Sequence, residues 1–383
     1  MHPRARILHI GKFYPPYMGG LETHLEVLCG ELKQVADVVV MVANHGPTGR
    51  DEVLNGVPVL RVATPLTVAS APICPEMISR LKSARYDLIH IHLPNPTAVL
   101  AYLISRPRGR LVVTYHSDTV RQNVLGAAFE PLQRRLLGRS AAILATSANY
   151  LATSPVLARH RACCHVVPYG IPIQQFSSCE PARVTQVRLQ YGERLILSVG
   201  RLVYYKGFEY LIQAMRQVGG RLLLVGEGPL RGKLESLARR LGLLDRVVFL
   251  GGIQNCDVVP YYHAADVFVL PSVARSEAFG IVQIEAMAAG FPVINTQLDS
   301  GVPFVSRHGL TGLTVPPADP QELAGAITGL LDDAPLRARF GQAARERAQT
   351  YFSAPVMTAQ ILEIYRRVLG WPVGAEQAAS VGR

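Results

Sequence analysis

Short apolar runs of strand length alternate with longer amphipathic stretches along almost the whole chain. That alternation predicts strand–helix–strand units, and hence parallel sheets flanked by helices. In the first half, strands are expected at residues 6–13, 38–42, 57–62, 87–92, 110–116, 141–146 and 165–169. Helices are expected near 21–33, 75–84, 97–105, 122–137 and 148–158. Continuous apolar stretches such as Leu111-Val112-Val113 suit strands covered on both faces. The rhythm weakens from Pro168 to about Arg194, where Pro168, Gly170, Pro172 and Pro181 punctuate a polar stretch. An inter-domain linker is expected there. The second half restarts the pattern, with strands expected at 195–199, 222–225, 247–250, 267–270, 293–295 and 313–315. Its helices are expected at 209–217, 230–241, 257–263, 280–289, 320–331, 336–348 and 354–369. The reading is therefore α/β, with two tandem doubly wound domains at residues 1–172 and 173–353. The last helix, about 354–370, has no strand after it and is expected to pack back on the first domain. Such sheets bind ligands beyond the carboxyl ends of their strands, so the active site is expected in an inter-domain cleft. The tail from Val373 is expected to fray.

Composition narrows the class. With 383 residues, two cores are expected rather than one, and 49% hydrophobic against 17% charged residues excludes disorder. No apolar run approaches the ~18 residues of a membrane span, and the opening M-H-P-R-A-R-I-L-H-I-G reads as a first strand, not a leader. Six cysteines (Cys29, Cys74, Cys163, Cys164, Cys179, Cys256) show no C-x-x-C spacing, so a reduced, cytoplasmic protein is expected. The net charge of +11 is uneven. Residues 1–172 carry 18 basic and 10 acidic side chains, residues 173–383 carry 21 and 18. That surplus can draw the first half to anionic lipid or to a phosphate-bearing acceptor. Without interleaved aromatic and basic residues, nucleic acid is not expected as a partner.

Candidate chemistry gathers at predicted strand ends. In Ser272–Thr296, Glu277 and Glu285 are separated by seven residues, and Ala278-Phe279-Gly280-Ile281-Val282 marks a loop turning into a helix. Gly290 ends that helix and Pro292-Val293-Ile294 starts a buried strand. On one helix the two glutamates would differ by about 80° around the axis. Placing Glu277 on the preceding loop and Glu285 inside the helix lets one reach sugar hydroxyls and the other a ribose diol. The N–H groups near Ile281 and Val282 would meet phosphate. Arg201 and Lys206 lie in L-S-V-G-R-L-V-Y-Y-K-G, on the loop leaving a first strand, where the two cations would neutralise a diphosphate. The turns carrying Gly228 and Leu250 either shape a base pocket or are plain turns. Gly19 and Gly20, before the first helix, let backbone approach an anion. Phe129, Leu132, Leu136 and Leu137, beside Arg134, Arg135 and Arg139, make either a membrane-docking stripe or a core helix with a basic outer face.

Together, E-A-F-G-I-V-Q-I-E, the upstream G-R-L-x-x-x-K-G and the early Gly19-Gly20 pair resemble the retaining glycosyltransferases of family 4. The resemblance spans nearly the whole chain. It implies the GT-B fold of two Rossmann-like domains. It implies that Gly19 and Gly20 approach the donor phosphates, that His116 of T-Y-H-S-D contacts the transferred sugar, and that Arg201 and Lys206 hold the diphosphate. It further implies Glu277 on sugar hydroxyls, backbone at Phe279, Gly280 and Ile281 on sugar and phosphate, and Glu285 on the ribose. The implied reaction is hexosyl transfer from a nucleotide-diphosphate sugar, with GDP-mannose favoured over UDP-sugars, to a glycan, glycolipid or small-molecule hydroxyl. No D-x-D occurs, so neither an essential metal nor a cofactor is expected. Peripheral contact with the inner membrane, serving a lipid-linked acceptor, fits the basic first half. A sugar-nucleotide epimerase of this architecture and a non-catalytic nucleotide-sugar binder are the alternatives.

Overall fold

The computed structural model describes residues 4–17, 19–68, 71–83, 85–118, 123–253 and 255–371, so the tail from Val373 lies outside it. The described chain forms two compact units. One comprises residues 1–146, 154–170 and the C-terminal segment from Ala354; the other comprises 147–153 and 171–353.

The first unit is built on an eight-stranded sheet. In spatial order its strands are Cys164–Val166, Ala142–Ala145, Arg108–Tyr115, Arg85–Leu93, Arg6–Ile10, Asp37–Ala43, Val57–Val62 and Arg50–Leu54. All neighbours are parallel except the last pair. The apolar alternation explains why: Ile7, Leu8, Ile10, Leu88, Ile89 and Val112 are fully buried, as expected of strands covered on both faces. The closing helix, Ala354–Leu369, sets Met357, Ile361 and Ile364 into the same core as Leu25, Leu28 and Leu32 of the helix Gly20–Leu32.

The second unit has six parallel strands, in the order Val247–Gly251, Arg221–Val225, Leu195–Val199, Val267–Val269, Val293–Thr296 and Gly312–Val315. In each sheet the chain's first strand lies inside, and strand order reverses on either side of it. Arg6–Ile10 sits between Asp37–Ala43 and Arg85–Leu93, and Leu195–Val199 between Arg221–Val225 and Val267–Val269. Loops leaving those strands diverge at the reversal and open a crevice at the strands' carboxyl end.

Three expectations change. The supposed linker is folded: Pro181 opens a helix, Pro181–Tyr191, with Val187 buried, because proline suits the first helical turn. Residues 147–153 belong to the second unit, where the Arg275 guanidinium stacks 4.7 Å over the Tyr150 ring and donates to the Thr153 carbonyl. The antiparallel edge strand Arg50–Leu54 and the hairpin of Leu66–Val68 with Ala71–Ile73 were not anticipated. Both are short and largely exposed, so they carry little apolar signal. No described helix is long and apolar enough to cross a membrane.

Helix Ala334–Tyr351 lies against the end of Ile281–Ala289, and Gly341 is the point of approach. A Cβ there would overlap the Gly290 carbonyl oxygen, whereas one on Gly325 or Gly329, in the helix Pro320–Asp332, meets nothing. Gly325→Ala should therefore stabilise by about 0.5–1 kcal/mol through helix propensity. Gly341→Ala should destabilise by about 1–3 kcal/mol, because overpacking exceeds that gain. Denaturant titration of the two variants checks the opposite signs.

Candidate active site

The loops at the reversal of the second sheet are locked together. Residues Gly200–Gly207 follow the strand Leu195–Val199, and the three-residue turn Tyr204–Lys206 brings Lys206 inward. The backbone N–H of Val273, on the loop after Val267–Val269, donates to the Tyr205 carbonyl at 2.8 Å. A Cβ on Gly207 would overlap the Pro271 carbonyl oxygen, so only glycine permits this approach. Tyr204 and Ser276 share a hydroxyl hydrogen bond at 3.2 Å.

This packing sets Lys206 Nζ 2.6 Å from Glu277 Oε2, with only 10% and 9% of the two side chains exposed. Ser272 Oγ donates to the same carboxylate oxygen at 3.1 Å. Arg201 is exposed on the same loop. The Tyr205 phenol registers the whole cluster. Burial raises its pKa, Glu277 raises it further, and Lys206 and Arg201 pull it down.

The helix Ile281–Ala289 begins at Gly280, whose φ of 74° favours glycine, and no side chain caps it. Its first N–H groups therefore lack an intrahelical acceptor. Below them, Gln283 is fully buried. It donates to the Phe279 carbonyl at 3.0 Å and accepts from Asn295 Nδ2 at 2.9 Å. Asn295 also donates to the carbonyls of Val302 and Ser306 and accepts from the Thr314 hydroxyl. This network was missed in the sequence. Its one signal is a glutamine and an asparagine inside otherwise apolar runs. Phe279 is buried against Phe304 and Phe352, so only its backbone faces the loop.

Glu285 sits one turn into the helix and accepts from the Tyr262 hydroxyl at 2.7 Å. Burial raises its pKa, opposed by that hydrogen bond and by the charge of Lys206. Gly228 lies against the Leu202 backbone, where a Cβ would not fit, so its glycine has a structural cause. Leu250 is half-buried on the edge strand Val247–Gly251.

In the first unit, Gly19 and Gly20 do open the helix Gly20–Leu32, but the Glu22 carboxylate lies against Gly19. His116 directly follows the strand Arg108–Tyr115 and is buried. Its Nδ1 is bonded to the Tyr169 hydroxyl, and its Nε2 lies 3.0 Å from Nδ1 of His92. Of the stripe, Leu136 and Leu137 are core residues and Phe129 and Leu132 are half-buried, with Arg134, Arg135 and Arg139 exposed, as in the alternative of a core helix with a basic outer face.

Two family models match in tandem. Residues 18–175 fit "Glycosyltransferase Family 4" and 184–347 fit "Glycosyl transferases group 1". O-antigen chain mannosyltransferase C of Escherichia coli is 32% identical over 372 residues, covering 95% of this chain and 99% of that protein. The chain belongs to glycosyltransferase family 4. D-rhamnosyltransferase WbpZ of Pseudomonas aeruginosa is also 32% identical, over 91% of this chain and 92% of that one. Among solved structures, Anabaena HepE in complex with UDP and glucose superposes with a TM-score of 0.78 at 22% identity, covering 95% of this chain and 100% of that one. The fold of this glycosyltransferase is accordingly GT-B.

Two tests follow from the Lys206–Glu277 pair and Glu285. Removing one buried partner strands the other, so Lys206→Met should cost about 3–5 kcal/mol, while Lys206→Met with Glu277→Gln should recover most of it. Unfolding of the single and double variants measures the coupling. Glu285 has a folded pKa above its unfolded value. Its charged form therefore destabilises the fold as pH rises through that window, and the effect is absent below the unfolded pKa. Glu285→Gln should raise the melting temperature at pH 8 and leave it unchanged at the acid end, as a melting series across pH would show.

Proposed function

We propose that this glycosyltransferase moves a manno-configured hexosyl group from a nucleotide diphosphate, GDP-mannose first among candidates, to a glycan or lipid-linked hydroxyl, with retention of anomeric configuration. The observation that carries the reading is the second unit's cluster: exposed Arg201, the Lys206–Glu277 pair, and an uncapped helix start whose first turn holds no acid. The mannosyl assignment is supported by the two relatives, a mannosyltransferase and a D-rhamnosyltransferase, since D-rhamnose is 6-deoxymannose.

In the proposed reaction the bond from the anomeric carbon to the β-phosphate oxygen breaks, and the acceptor oxygen attacks on the same face. A donor phosphate oxygen takes the acceptor's proton. Negative charge grows on the leaving diphosphate, where Arg201, Lys206 and the N–H groups of Ile281 and Val282 stabilise it in place. One proton of the Lys206 ammonium is engaged by Glu277, which leaves two to donate to phosphate. Glu277 Oε2 is engaged by Lys206 and Ser272, so Oε1 is assigned to a sugar hydroxyl. Glu285 is assigned to the ribose, Gly228 and Leu250 to the base, and His116 to the transferred sugar. With two cations and a helix end on the diphosphate, no metal is required there. The acceptor is assigned to the first unit, whose basic surplus suits a phosphate-bearing or lipid-linked glycan.

The test is a transfer assay with GDP-mannose, GDP-D-rhamnose and UDP-glucose against soluble and lipid-linked glycans, with anomeric configuration of the product read by NMR. GDP-mannose should be consumed fastest and the α-linkage kept; inversion would overturn the mechanism. Arg201→Ala should lower kcat by about 10²–10³-fold, the scale of a lost transition-state donor. Its stability should stay within about 0.5 kcal/mol of the parent, as for an exposed side chain.

A further inference from the structure

One face of the first unit's sheet gathers imidazoles at the carboxyl ends of its central strands. Side chains alternate along a strand, so His90 and His92 share a face of Arg85–Leu93. His9 is the register partner of His90, and Thr114 that of His92, so both lie on that face too. His116 follows Thr114 by two residues, just past the strand Arg108–Tyr115. The closing helix Ala354–Leu369 brings the Tyr365 hydroxyl to the same layer. All of these side chains are buried. Burial holds the imidazoles neutral: His9 is pushed down to about 3, and His90, His92 and His116 lie well below the ordinary value. Burial also pushes the Tyr365 phenol well above its ordinary value, so it keeps its proton.

Hydrogen bonds join these groups into one unbroken run. The Thr114 hydroxyl is 2.7 Å from His90 Nε2, and His90 Nδ1 is 2.5 Å from the Tyr365 hydroxyl. That hydroxyl is 3.4 Å from His9 Nε2, and His9 Nδ1 is 3.1 Å from His92 Nε2. His92 Nδ1 is 3.0 Å from His116 Nε2, and His116 Nδ1 is bonded to the Tyr169 hydroxyl. A neutral imidazole has one N–H and one lone pair. Each ring of the run has both nitrogens engaged, so the tautomer of one dictates that of the next. Tyr365 has one proton for two imidazoles, and His90 Nδ1 is the nearer. His9 Nε2 therefore donates to Tyr365, and His9 Nδ1 accepts from His92 Nε2–H. His92 Nδ1 in turn accepts from His116 Nε2–H, which leaves His116 Nδ1 to accept from Tyr169. His24 stands outside the run: its ring packs edge-on against His92 and His116, with no hydrogen-bond partner among the described residues.

We propose that Tyr365, His9 and His92 are positioning residues for sugar transfer: through this run they hold His116 in one orientation and as one tautomer, Nε2–H. This role rests on the assignment of His116 to the transferred sugar. With Nε2–H given to His92 and Nδ1 taken by Tyr169, His116 has no proton to donate and no lone pair to accept one. It meets the sugar as a fixed neutral ring and not as an acid or base, which leaves the acceptor's proton to the donor phosphate. Turning His116 to the other tautomer requires His92 and His9 to turn with it, or leaves two buried N–H groups facing each other. The orientation of one side chain is thereby tied to a hydroxyl on the closing helix, two rings away.

NMR of the full-length protein labelled with ¹⁵N-histidine, without donor, reads the ring tautomers; His116 is identified by the signals that His116→Gln removes. The parent should show His116 neutral, in the Nε2–H form alone. Tyr365→Phe, which removes only the hydroxyl, should let His9 turn its N–H towards His92, so that His116 shows both tautomers. His92→Leu should likewise end the single tautomer, and His92→Asn should restore it, because its amide oxygen can accept in place of the lost Nδ1. If His92→Leu fails to fold, Tyr365→Phe and His92→Asn carry the test. In a transfer assay Tyr365→Phe should lower kcat by about 10-fold and move the donor KM less, since alignment is lost and the contact is not. A charged or Nδ1–H His116 in the parent would overturn the run. So would a Tyr365→Phe protein that melts lower with its His116 tautomer unchanged, the result of packing loss alone. Mixed tautomers with unchanged kcat would overturn the positioning role. The tautomers are read without donor, so the run is decided separately from the transfer reading, which falls if the parent consumes no nucleotide-sugar.

Discussion

The contact between Lys206 and Glu277 is the constraint on which the donor-side geometry depends. It joins two loops that leave neighbouring strands where strand order reverses, the first of which has only the three-residue turn Tyr204–Lys206 as regular structure of its own. Its side chains are nearly buried, so the pair exchanges hydration for mutual attraction and gains little net stability. What it contributes is position. With Nζ fixed by Glu277, the ammonium stays at the crevice, and the carboxylate is held in turn by Ser272. The close approach of Gly207 to Pro271 makes this possible, because any side chain there would push the two loops apart.

Beneath the pair, a second polar assembly fixes the helix start. Gln283 and Asn295 tie the Phe279, Val302 and Ser306 carbonyls together inside an apolar core. Buried amides are costly unless satisfied, and here each bond spans a different element: loop, helix, strand and the short helix Val302–Val305. The loop from Ser272 to Gly280 is thus clamped at both ends. Arg201, on the loop that carries Lys206, is by contrast exposed.

Much of this was legible in the residues. The period of apolar runs placed all six strands of the second sheet and most of the first, because parallel strands buried on both faces leave a continuous signal. The placing of Glu277 on a loop and Glu285 in a helix followed from helix geometry alone. What failed has several physical causes. The edge strand Arg50–Leu54 is short and largely exposed, Pro181 punctuates a stretch in which proline in fact opens a helix, and the attachment of residues 147–153 to the second unit depends on long-range contacts, such as Arg275 with Tyr150, that local pattern does not encode. The packing of the rings of His9, His24, His90, His92 and His116 against one another was illegible because those contacts are equally long-range. His9, His24, His92 and His116 are far apart in sequence, and only the alternation His90-Ile91-His92 hinted that two imidazoles share one face of a strand.

The two glycine-led helix starts show why similar sequence signals separate in three dimensions. Both helices follow a strand at a reversal of sheet order, and both leave N–H groups with partial positive charge. At Gly20–Leu32 the first turn carries Glu22, buried beside Gly19 and near the charge of Lys12, so the helix end is neutralised internally. At Ile281–Ala289 the first turn has no acid, and Glu277, on the loop before it, is engaged by Lys206. The first start thus carries its own carboxylate, whereas the second carries none in its first turn. The electrostatic asymmetry, more than the glycines, distinguishes the two helix starts.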